Sequence, residues 1–69
     1  MAMSITTRFG ATVARLRKER GLTQEAFADR AGIARSYMSD VERGARNCTI
    51  VMVGRIADAL DVKPAVLFE

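Results

Sequence analysis

Histidine and tryptophan are absent from this 69-residue chain, and cysteine and proline occur once each. With one cysteine, Cys48, no intramolecular disulfide can form; without histidine, no Cys/His zinc cluster can be assembled. The same absences leave Cys48 without an imidazole base, and there is no Gly-rich phosphate loop. The composition therefore argues against an enzyme and gives no ground for a cofactor or a metal. No apolar run is long enough to span a membrane, and Met1-Ala2-Met3-Ser4 has neither the basic segment nor the apolar stretch of a secretory signal. A cytoplasmic protein with a free thiol is expected. A chain this short holds one compact domain, here residues 1–69, and without disulfides or metals its extra stability is expected from oligomerisation.

What is present is apolar and basic. Hydrophobic residues make up 49%, ordinary for a globular domain and too many for a disordered one. The net charge is +3, unevenly spread. Arg8, Arg15, Arg17, Lys18 and Arg20 face a single acid, Glu19, in the first part; the stretch from Cys48 to Glu69 is net acidic. One basic side suits a polyanion, and a solvated surface with ordinary scatter is the plainer alternative.

Helical punctuation runs along the whole chain. Between Ser4 and Arg20, Ile5, Phe9, Val13 and Leu16 fall on one face, and Gly21 ends the segment. Thr23 caps a second helix whose inward residues are expected to be Ala26, Phe27 and Ala31, stopped by Gly32. A third helix, about 35–43, carries Met38 and Val41 inward and stops at Gly44. Thr49 caps a fourth, with Ile50, Val53, Ile56, Ala57 and Leu60 inward. Pro64 suits the first position of a short fifth helix ending in Val66-Leu67-Phe68. The predicted fold class is all-α with five helices. The second and third, about 23–43, are two short helices joined by a glycine-containing turn, a helix-turn-helix pattern.

The run Gly21-Leu22-Thr23-Gln24-Glu25, then Phe27-Ala28, Ala31-Gly32-Ile33, Tyr37-Met38-Ser39, Val41-Glu42-Arg43-Gly44 and Ile56-Ala57-Asp58-Ala59-Leu60 resembles the Cro and lambda-repressor-like (Xre-type) helix-turn-helix DNA-binding family. Arg35-Ser36-Tyr37 with Arg46-Asn47 is similar to the controller proteins of restriction–modification systems. The resemblance implies a sequence-specific transcription regulator that binds double-stranded DNA. RNA polymerase or a cognate partner protein are further candidate partners; a membrane is not. The rival reading is an antitoxin or protein-interaction module on the same fold. One departure from the family pattern is Ala34, where a Ser or Thr cap is frequent.

In a helix-turn-helix the N-terminal residues of the second helix meet base edges in the major groove. Arg35 is the sharpest candidate, since a guanidinium can bond guanine O6 and N7 together; a phosphate contact or a solvated arginine are the alternatives. Ser36 can reach a base, a phosphate or its own backbone. Tyr37 is expected at the rim of the groove face, against a phosphate or a thymine methyl, or packed on the preceding helix. Ser39 and Asp40 share the outward face; Asp40 can accept from cytosine N4 or pair with Arg43 within the helix. Thr23 and Gln24 stand at a helix start suited to a phosphate, Thr23 chiefly as a cap. Arg43, Arg46 and Asn47 are candidate phosphate clamps, setting register rather than sequence preference. The resemblance implies that Arg17 and Glu42 form a structural ion pair rather than contacting DNA.

On the fourth helix Val51, Met52 and Arg55 are expected outside, with Ala59 below them. Adjacent exposed apolar residues suggest an interface, extended by Val66 or Phe68; burial under the last helix is the alternative. The expected assembly is a symmetric homodimer through about 49–68, reading a rough palindrome. Cys48, just before the Thr49 cap, is a small filler or a thiol whose pKa is lowered by the helix start.

Overall fold

Three helices begin at a hydroxyl. Ser4, Thr23 and Thr49 sit in extended backbone, and their side-chain oxygens accept the N–H groups of Thr7, Ala26 and Met52 at 3.2, 3.0 and 3.1 Å. Each hydroxyl satisfies a donor that the first turn leaves without a partner. In the computed structural model, which describes residues 3–69, these caps open α1 (Ile5–Glu19), α2 (Gln24–Ala31) and α4 (Ile50–Leu60). The remaining helix, α3 (Arg35–Glu42), starts at Ala34 with no side-chain cap. Met1 and Ala2, which the expected 1–69 domain and the reading of the opening segment include, lie outside the described residues.

The expected fifth helix is a 3₁₀ helix over Pro64–Phe68 rather than an α-helix. A five-residue segment cannot offset the cost of α-helix nucleation, and short runs settle into tighter 3₁₀ turns. The described residues contain four α-helices, this 3₁₀ helix and no strand. No helix among them is long and apolar enough to cross a membrane.

Phe27, Met38, Ile56, Leu60, Leu67, Val13 and Val41 are fully buried and form the centre of the core. Burying a side chain of this kind stabilises by about 1.5–3 kcal/mol. α1 packs on α3 and the 3₁₀ helix, while α2 packs on α3 and α4. α1 and α3 come close together at Gly10. A Cβ placed on Gly10 would lie 2.2 Å from the carbonyl oxygen of Val41 and 2.9 Å from that of Glu42. Only glycine lets the two backbones meet there.

The periodicity misjudged several faces. Ile5 and Ile50, both expected inward, are 60% and 88% exposed. Each is the first residue of its helix. Side chains lean toward the helix N-terminus, so a first-turn residue projects past the neighbours that would cover it. In α2 the inward set is Phe27, Ala28 and Ala31, with Ala26 exposed. In α4 Ala59 is buried, with Arg30 of α2 donating to its carbonyl oxygen at 3.4 Å. Met52, expected outside, is half-buried against the core, as is Val66.

Candidate nucleic-acid interface

α2 and α3 are joined by Gly32, Ile33 and Ala34. Gly32 adopts φ +69°, the left-handed conformation that L side chains rarely take, and lets the Ile33 N–H return to Ala28 O at 2.9 Å. Ile33 is buried in the core and anchors the turn.

Glu42, at the far end of α3, ties three elements together. Its Oε2 accepts from Arg17 Nε at 2.7 Å and its Oε1 from Arg17 Nη2 at 3.0 Å, a bidentate pair. Oε1 also accepts from Gln24 Nε2 at 3.0 Å, and Arg17 Nη1 donates to Leu22 O at 2.7 Å. The Arg17 and Glu42 side chains are only 11% and 6% exposed, so these bonds form largely out of water. α1, the start of α2 and the end of α3 are thereby fixed as one unit. Gln24 was read from sequence as a phosphate contact; its side-chain amide is directed at Glu42, while Thr23 caps α2.

The outward side of α3 is polar. Arg35 and Ser36 are exposed at its first turn, and Ser39 and Asp40 are half-exposed further along. Arg35 takes part in none of the four ion pairs among the described residues. Asp40 accepts from Arg43 through Oδ1 and from Arg46 Nη2 through Oδ2 at 3.2 Å. The hydrogen bonds from Arg43 and then Arg46 hold the Asp40 carboxyl below its ordinary pKa of 3.8. The Arg46 guanidinium also lies over the Tyr37 ring, 4.4 Å from its centre. Tyr37 is half-buried, and that burial, with the neighbouring Cys48 thiol, raises its hydroxyl pKa. Asn47 is exposed in the loop after α3.

That loop borders an apolar pocket of about 200 Å³, walled by Ile5, Phe9, Val53 and Phe68 with Cys48 at its edge. Of the two readings of Cys48, the small filler is the one that fits: it is half-buried, and burial pushes its thiol up from 9.0 despite the nearby Tyr37 and Arg46. Phe68 is 42% exposed and lies against Phe9, ring centres 5.1 Å apart. Val51 is exposed, and Arg55 donates to Gly32 O at 3.2 Å.

Sequence reasoning missed Gly10, the Gln24–Glu42 bond and the stacking of Arg46 on Tyr37. A glycine inside a strong helical pattern was a usable signal for the first. The other two join residues from different elements and leave no trace in local spacing.

Residues 8–68 match the model of the helix-turn-helix domain family. An HTH-type transcriptional regulator of Sinorhizobium fredii is 47% identical over 77% of this chain and 69% of its own length. The control protein C.MunI of a Mycoplasma species is 38% identical over 94% of this chain and 89% of its own. Among solved structures, the restriction-modification controller protein C.AhdI of Aeromonas hydrophila superposes with a TM-score of 0.89 at 43% identity, covering 91% of this chain and 96% of that one.

Proposed function

This chain belongs to the helix-turn-helix domain family, and on that premise we propose that it regulates transcription by binding a palindromic operator as a homodimer, in the manner of a restriction–modification controller. The observation that carries the reading is the first turn of α3: Arg35 and Ser36 stand exposed on a helix held rigidly to α1 and α2 through Glu42. A recognition helix reads bases with its N-terminal residues, and an arginine there matches the O6/N7 edge of guanine.

In this reading Ser36 and Ser39 follow Arg35 along the groove, and Tyr37 contacts the rim. Arg43, Arg46, Asn47 and the start of α2 at Thr23 and Gln24 contact phosphates. Val51, Arg55 and Phe68, with the partly covered Met52 and Val66, form the dimer contact. The two copies of α3 then enter successive major grooves about 34–36 Å apart. RNA polymerase or a cognate partner protein acts downstream of operator binding.

Selection of bound sequences from a random duplex pool at physiological salt tests this. An enriched inverted repeat is expected, and Arg35→Ala should lose preference at one base of each half-site, about 1–3 kcal/mol of discrimination, with its thermal unfolding unchanged. Weak, salt-sensitive binding with no enriched sequence would overturn the operator reading and favour a protein-interaction module such as an antitoxin.

A further inference from the structure

α3 carries two carboxylates with opposite placements. Glu42 is turned into the fold, and its partners there are Arg17 and Gln24. Asp40 lies on the outward side, where a negative charge repels a polyanion. It does not stand alone: its two oxygens take separate guanidinium groups, from Arg43 and Arg46. Those two side chains are 66% and 44% exposed, and Arg46 is further held on the Tyr37 ring. One acidic side chain thus engages two of the three arginines that the DNA-binding reading assigns to this face.

Resting on that reading, we infer that Asp40 is a specificity-determining residue that withholds Arg43 and Arg46 from the phosphates of arbitrary DNA. A carboxylate and a phosphate compete for the same N–H donors, and both suit the guanidinium fork. Exposed ion pairs are weak, so a phosphate brought into register by base contacts displaces Asp40 from the arginines. On a duplex without the matching bases α3 never settles in register, and the arginines stay on Asp40. Non-specific binding consists almost entirely of phosphate contacts and counterion release. Reducing it raises the ratio of specific to non-specific affinity without any new base contact. The Tyr37 ring keeps Arg46 close to where it is needed once it is released.

The experiment is an anisotropy titration over a salt series. It uses the full chain, a labelled duplex of arbitrary sequence and a duplex enriched by selection. Asp40→Asn should bind the arbitrary duplex about tenfold more tightly at low salt, with a log–log salt slope steeper by about 1–2 per chain as the two arginines reach phosphates. Its affinity for the enriched duplex should rise less, so discrimination falls. Asp40→Glu, which keeps the charge, should retain the wild-type slope. Adding Arg43→Ala and Arg46→Ala to Asp40→Asn should abolish the steepening, and a thermal melt establishes that each variant is folded. An unchanged slope in Asp40→Asn, or a steeper one that survives loss of both arginines, overturns the inference while wild-type binding keeps the DNA reading intact. A wild-type chain that binds neither duplex overturns the DNA reading and this inference with it.

Discussion

Arg17 illustrates how little residue type says about role. It is one of five basic residues in the first part of the chain, and on charge alone it is as good a phosphate ligand as its neighbours. In the fold all three guanidinium nitrogens are used internally, two on Glu42 and one on Leu22 O. Replacing it would leave the Glu42 carboxylate in a largely dry site with Gln24 as its remaining donor. Stranding one member of such a pair costs about 3–5 kcal/mol. Arg17→Ala is therefore expected to lower Tm by more than 10 °C, taking about 4–8 °C per kcal/mol for a domain of this size. DNA affinity measured well below that Tm should fall through loss of α3 placement. A variant that melts like wild type but binds DNA poorly would instead make Arg17 a direct contact. Arg35 is the converse case, exposed and outside the four ion pairs among the described residues, so its removal should touch recognition and leave stability alone.

At the scale of the element, helix limits were legible because their signals are local. Thr23 and Thr49 act through a hydroxyl on the first turn, Gly32 and Pro64 through their own backbone, and each stands where a helix starts or stops. Facing was less legible at helix ends. An apolar residue at the first position fits the periodic pattern whether or not a neighbour reaches over it, and Ile5 and Ile50 are uncovered. Contacts made across elements, such as Gln24 to Glu42 or Arg46 on Tyr37, were not legible at all. Two element-level substitutions follow from this division. Ala34 has the same extended backbone as the three hydroxyl caps but no side-chain acceptor. Ala34→Ser should supply the missing bond and stabilise by about 1 kcal/mol, raising Tm by several degrees in calorimetry; no rise would mean the first turn of α3 is satisfied by another route. Gly10→Ala should do the reverse. Its methyl would press on the backbone carbonyls of Val41 and Glu42, and neither can swing aside as a side chain end would. α1 and α3 must separate, at a cost of about 3 kcal/mol or more. A Gly10→Ala protein with undiminished stability in urea would show that the two helices are not so closely apposed.

For the whole molecule, the net charge of +3 conceals how the arginines are deployed. Arg8, Arg20, Arg30 and Arg55 donate to Phe68 O, Leu60 O, Ala59 O and Gly32 O, carbonyls at the C-terminal ends of other elements. Cations at helix C-termini complement both the unpaired carbonyls and the dipole. Much of the basic composition thus closes the fold, and of the three arginines that the DNA-binding reading assigns to the α3 face, Arg35, Arg43 and Arg46, two are held on Asp40. So small a basic surface on one copy gives modest affinity by phosphate contacts alone, which makes a second copy consequential: linking two half-site contacts multiplies their effect without any new bond to DNA. Val51 is the decisive place to intervene, being 63% exposed on the first turn of α4 and clear of the core. In an isologous contact its replacement by glutamate brings like charges together across the two-fold axis. Val51→Glu is expected to sediment as a monomer at concentrations where the wild type is a dimer. It should lose at least about tenfold in affinity for a two-half-site operator while binding a single half-site as well as before. A wild-type chain that stays monomeric at high micromolar concentration would overturn the dimer reading, and a Val51→Glu dimer with full operator affinity would move the interface away from α4.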